Sequence, residues 1–197
     1  VVGTWNATNW LREKEVLIVG AGPSVNTYKE GILNYIKKVK PEVLFLNVNR
    51  YLDSNLGKAT IVSHPTRAIF DAQEYQNIKH PIILPASKLG SLLKDQLKDL
   101  QIYDYGLSLK ESSFEIKSRS CEIEWPLAIA YSLAIITQGN AKKISLVGFD
   151  GYGADDPRQE EMNEIFHNYS KLNRSIPINS LTPTTYRISR SSIFSPL

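Results

Sequence analysis

A repeated order of short apolar run, turn and helical-period stretch decides what this chain can fold into. The first run, Glu15–Val19, is rich in β-branched residues and ends in Gly20-Ala21-Gly22-Pro23-Ser24. A buried strand followed by a tight turn fits it. From Val25 the apolar residues fall at Tyr28, Ile32, Tyr35, Ile36 and Val39, the spacing of a helix, with Ser24 as its N-cap and Pro41 beyond its end. Further strands are expected at 43–46, 59–63, 81–84, 144–148 and 176–178, and further helices at 66–74, 87–100, 126–138 and 160–172. Segment 102–123 fits a small strand pair or an irregular excursion. Strand, helix, strand in this order implies parallel strands joined by crossovers. Runs that are apolar throughout fit strands covered on both faces. The expected fold is α/β, a Rossmann-like three-layer sandwich with a mostly parallel central sheet. It occupies residues 15–181. Residues 1–14, with Trp5 and Trp10, read as a linker or as a lead-in packed on the body, and 182–197 as a basic, Ser-rich tail.

Composition removes several classes. The 23 basic residues are offset by 20 acidic ones, and a net charge of +3 is weak for a nucleic-acid protein. The single cysteine, Cys121, allows no internal disulfide and makes a reducing, cytoplasmic setting the default. Histidines at 64, 80 and 167 are too far apart for a local zinc cluster. The most apolar stretch, 125–137, is too short to span a bilayer. The chain begins with Val1 rather than Met, as a domain cut from a longer protein would.

In parallel α/β sheets, ligands bind beyond the carboxyl ends of the strands. That rule selects three segments. In the first, Gly20, Gly22, Pro23 and Ser24 can admit a phosphate to the backbone and to the start of a helix. The alternative is an ordinary strand-to-helix turn. Val25 stands where a dinucleotide fingerprint has its third glycine, and no acidic residue ends the second strand, so NAD is disfavoured. In the second segment, Asn47 and Asn49 can hydrogen-bond a base, ribose or sugar hydroxyl, or can be turn residues. The third, Gly148-Phe-Asp-Gly-Tyr-Gly-Ala-Asp-Asp-Pro-Arg158, gathers Asp150, Asp155 and Asp156 as candidate catalytic groups: a general base, ligands to a divalent ion such as Mg²⁺, or anchors for a sugar. Asp156 can instead cap the following helix, and Arg158 can grip a phosphate or pair with Glu161. His64 is a further candidate, whereas Cys121 reads as structural.

Val16-Leu-Ile-Val-Gly-Ala-Gly-Pro-Ser24, Asn47, and Ile144-Ser-Leu-Val-Gly-Phe-Asp-Gly-Tyr152 together resemble the bacterial sialyltransferases of the Campylobacter type and the hydroxymethylpterin diphosphokinase-like proteins. The whole stretch also looks like the domain appended to hydroxymethylglutaryl-CoA-lyase-like aldolases of surface-polysaccharide biosynthesis. The resemblance implies that Gly22, Ser24 and Asn47 hold a nucleotide or nucleotide sugar. It also implies a glycosyl or phosphoryl transferase, with an aldolase domain as partner in a longer chain. The sialyltransferases carry a histidine-bearing segment after the Gly-x-Asp motif that has no counterpart here, so sialyl transfer by this chain is not expected. The alternative expectation is a non-catalytic accessory module that binds a metabolite or a partner subunit.

Overall fold

A computed structural model of the chain describes residues 1–90, 95, 97–153 and 155–195. Its elements follow in chain order. The first half holds β1 (Glu15–Val19), α1 (Ser24–Thr27), α2 (Lys29–Val39), β2 (Glu42–Leu46), β3 (Ala59–Ile61), α3 (Pro65–Phe70), α4 (Ala72–Tyr75), β4 (Ile82–Leu84) and β5 (Ile102–Asp104). The second half holds β6 (Gly106–Leu109), β7 (Phe114–Ile116), β8 (Ser120–Ile123), α5 (Ala128–Gln138), β9 (Lys143–Val147), α6 (Pro157–Ser170), β10 (Ile178–Ser180) and β11 (Ser189–Arg190). Among the described residues, eight strands form one sheet in the order β11-β10-β9-β1-β2-β3-β4-β5, and every pairing in it is parallel.

Alternation along each strand divides the side chains between two faces. Leu17, Val43 and Phe45 meet Ile32 and Tyr35 of α2, and Val62 and Ile82 meet Ala68 and Tyr75 of α3 and α4. Val16, Ile18, Leu44 and Leu146 face the other way, onto α5 and α6. Helices on both faces of a parallel sheet make this an α/β three-layer sandwich. Helix α5 is buried from Ile129 to Gln138 because a second, three-stranded sheet, β6-β8-β7, covers its outer side.

Several expectations change in detail. The helix expected from Val25 starts at Ser24 and breaks at Tyr28 (φ −105°, ψ 19°), and Ser24 is its first residue rather than its cap. The helix expected at 66–74 is two short ones meeting at Asp71. Of the helix expected at 87–100, residues 91–94 and 96 lie outside the described residues, and 86–88 form a 3₁₀ turn. Segment 102–123 supplies β5 and the small sheet.

Both ends of the chain belong to the body. Trp5 stacks on Tyr103 of β5 at 4.8 Å and meets Trp10 edge-on at 5.2 Å. Its N–H donates to the Asp104 carbonyl at 2.9 Å, so the lead-in covers the β5 edge, while Ala7 and Leu11 are fully buried. Of the expected tail, residues 182–195 are not solvated throughout but belong to the body, and 196–197 lie outside the described residues. Thr182, Thr184, Tyr186 and Ile193 are buried, and 189–190 add the last strand.

No described helix is long and apolar enough to cross a membrane.

Candidate functional site

From β1 the chain steps through β2, β3, β4 and β5 on one side, whereas β9, β10 and β11 step away on the other. The direction of winding reverses between β1 and β9. Crevices open at such points because the crossovers leave on opposite faces. A cavity of about 420 Å³ lies there. The turns after β1 (Gly20, Gly22) and β9 (Gly148, Asp150) form its floor, and Asn47 after β2 closes one side. Leu127 and Met162 supply apolar wall, and Tyr152 and Tyr186 supply aromatic wall.

The floor is held by one carboxylate. Asp150 accepts the Ser24 N–H at 3.2 Å and the Ser24 hydroxyl at 2.9 Å. Thr182 Oγ1 lies 3.2 Å from the same hydroxyl and accepts the Gly148 N–H at 3.1 Å. The Thr185 N–H donates to the Asp150 carbonyl at 2.9 Å. Two glycines make this closeness possible. A Cβ on Gly22 would sit 1.8 Å from Asp150 Oδ2, and Gly148 takes φ +76° with Val25 pressed against it. The space at Gly22, expected to admit a ligand, thus admits Asp150.

This changes what the first turn can do. The Gly20, Gly22 and Ser24 N–H groups donate to Val147, Gly148 and Asp150 respectively, so they are not turned toward a phosphate. Gly20, Gly22 and Pro23 line the cavity, while Ser24 lies beneath it, 4% exposed. Asn47 takes φ +58°, and its carboxamide makes no hydrogen bond to a described residue. Asn49 lies outside the cavity. Its side-chain oxygen accepts the Tyr51 and Leu52 N–H groups at 2.9 Å each, the work of a turn asparagine.

The three aspartates do not converge. Among the described residues, no three His, Cys, Asp or Glu side chains gather as a metal site would need. Asp155 is exposed. Asp156 caps α6 by accepting the Arg158 N–H at 3.0 Å, and the Arg158 side chain holds the Asp156 carboxyl below its ordinary value. Arg158 pairs with Asp156 and lies over the Tyr152 ring at 4.2 Å. His64 caps α3 through Nδ1, away from the cavity.

Tyr186 and Met162 were not legible as site residues. A tyrosine in a polar Thr-Pro-Thr-Thr-Tyr segment is the signal that marks the first. Trp125, three residues before α5, does not line the cavity, and Tyr186 walls the space without filling it. A second hollow of about 500 Å³ lies between α6 and the β10–β11 edge, over Phe166, Tyr169, Ile176 and Ile178, and holds none of the strand-end residues.

Cys121 is fully buried on β8, and burial pushes its thiol up to about 12. The thiolate is the reactive form. The native protein is therefore expected to resist a thiol-specific disulfide reagent at pH 8 and to react fully once denatured. Rapid stoichiometric labelling of the folded protein would contradict this burial.

No protein-family model and no curated protein matches the chain.

Proposed function

We propose that the chain binds a nucleotide or nucleotide sugar, with the nucleoside or sugar portion seated between the β1 and β9 turns. The carrying observation is the convergence of Asn47, Asp150 and apolar and aromatic walls on one cavity at the reversal point of the sheet. Its volume falls in the range of about 300–1,000 Å³ usual for small-molecule sites. Flat rings suit walls of Tyr152 and Leu127. Hydroxyl and amino groups suit Asn47 and the lone pairs that Asp150 keeps free.

Phosphates are directed to the mouth of the cavity. The Asp150 carboxylate already occupies the Ser24 N–H, and a second anion beside it would be repelled. The likeness of the Gly-x-Gly-Pro-Ser and Gly-x-Asp-x-Tyr turns to sialyltransferase-like proteins favours a sugar nucleotide within this class. On that reading a glycosyl transferase would use Asp150 as the carboxylate nearest an acceptor hydroxyl, and an aldolase of the hydroxymethylglutaryl-CoA-lyase-like kind is the partner domain to examine.

Calorimetric titration with CMP, UDP, GDP, ADP, UDP-glucose and GDP-mannose, with and without magnesium, tests the reading. At least one should bind well below about 1 mM, and a hundredfold excess over its Kd should raise stability by about 2.7 kcal/mol. No binding tighter than about 1 mM by any of them would overturn it.

A further inference from the structure

We propose that Tyr186 orients the ligand in this cavity. Its hydroxyl donates to an oxygen of a neutral, hydroxyl-bearing hexose ring, whose own hydroxyl donates to Asp150. The inference rests on the nucleotide-sugar reading above and narrows it to a charge class.

The Tyr186 hydroxyl is distinguished by what it does not bond. Most other buried tyrosines are spent inside the protein. Tyr105 reaches the carbonyls of Lys117 and Ser120, Tyr131 the carbonyl of Tyr105, and Tyr169 both Thr137 and the Ile176 N–H. Tyr75 also lacks a partner, but its hydroxyl is sealed from any accessible space. Tyr186 is 5% exposed and makes no hydroxyl hydrogen bond to a described residue, yet it lines the cavity. Its ring is fixed by Phe166 at 5.7 Å, and its backbone N–H by Thr184 Oγ1 at 3.1 Å. A tyrosine held in the wall of a cavity, its hydroxyl without an internal partner, is poised to offer that hydroxyl to a ligand or water.

The polarity of the site then selects the ligand. Burial, followed by the nearby Tyr152 and Asp150, pushes the Tyr186 hydroxyl upward, so it stays protonated and can donate. Asp150, when ionised, can only accept. A ring hydroxyl both accepts and donates, so it satisfies the two together. A carboxylate or phosphate in the same place cannot donate to Asp150 and meets its charge. The cavity should therefore prefer a neutral sugar nucleotide to the matching uronate.

The test compares wild type and Tyr186→Phe by calorimetry with UDP-glucose, UDP-glucuronic acid, UDP, GDP-mannose and GDP. Wild type should bind the neutral sugar nucleotide at least about tenfold more tightly than the uronate, as expected of a repelled charge. Tyr186→Phe should lose about 5–10-fold, the effect of one hydrogen bond. The loss should be confined to the sugar nucleotide, as a hexose at Tyr186 requires, and an equal loss for the bare nucleotide would overturn that placement. The hydroxyl has no internal partner, so the melting temperature without ligand should not fall. Unchanged affinity in Tyr186→Phe, equal or tighter binding of the uronate, or a large drop in unliganded stability would overturn the inference while leaving nucleotide binding intact. Failure of wild type to bind any of these ligands would overturn the inference, and failure to bind CMP and ADP as well would overturn both readings.

Discussion

Gly22→Val is expected to destabilise the domain and disrupt its cavity together. The added Cβ would lie 1.8 Å from Asp150 Oδ2 and 2.7 Å from the Gly148 carbonyl oxygen, and the backbone contact cannot swing aside. Overpacking of this kind costs about 1–3 kcal/mol. Displacing Asp150 breaks its bonds to the Ser24 N–H and hydroxyl, each worth about 1.5–3 kcal/mol for a charged acceptor. A total of about 4 kcal/mol or more corresponds to a fall of about 8–16 °C in melting temperature for a chain of this size. Gly22→Val in an Asp150→Gly background should lose less, because one of its two collisions is gone. Equal melting temperatures for Gly22→Val and wild type would contradict the packing at this turn.

That outcome differs from the sequence expectation, in which Gly22 makes room for a ligand. The turn itself was legible because glycines between an apolar run and a helical period have few other uses. What fills the space was not, because Asp150 lies 126 residues from Ser24 and only the pairing of β1 with β9 brings them together. The central strands were legible for a related reason. Buried on both faces, β1 and β2 are apolar without alternation after their first residue, β9 departs from this only at Ser145 within the buried part, and that pattern is local. The edges of the fold follow another logic. β11 is two residues of a Ser-Arg segment, and it joins the sheet by backbone bonding to β10. The lead-in has no strand or helix of its own, and it is held by Trp5 on Tyr103. The break at Tyr28 escaped because apolar spacing at Val25, Tyr28 and Ile32 continues through it, and periodicity cannot report a change of dihedral angle. Asn49 and Asp156 behave as turn and cap residues, readings that local sequence offered beside the functional ones.

Asp150 carries the largest remaining prediction, because structural and ligand roles fall on the same carboxylate and two substitutions separate them. Asp150→Ala leaves the Ser24 N–H without an acceptor at a residue 4% exposed, and the Ser24 hydroxyl with Thr182 alone. Stranding a buried donor costs about 1–3 kcal/mol, and more for a lost charged partner. About 3 kcal/mol, or about 6–12 °C in melting temperature, is expected. Asp150→Asn keeps an oxygen for the Ser24 N–H and turns an amide N–H toward the Ser24 oxygen, whose proton can go to Thr182. It should cost about 1 kcal/mol or less. The amide, however, no longer offers the ligand a carboxylate lone pair. Asp150→Asn should therefore remain folded near the wild-type melting temperature while sugar-nucleotide affinity falls about tenfold or more, as loss of a charge-assisted hydrogen bond requires. Thermal melts and calorimetry on the same preparations read both effects. If Asp150→Asn binds as wild type does, the carboxylate is a strut for the β1 turn alone, and the ligand's hydroxyl contacts must come from Asn47 and Tyr186.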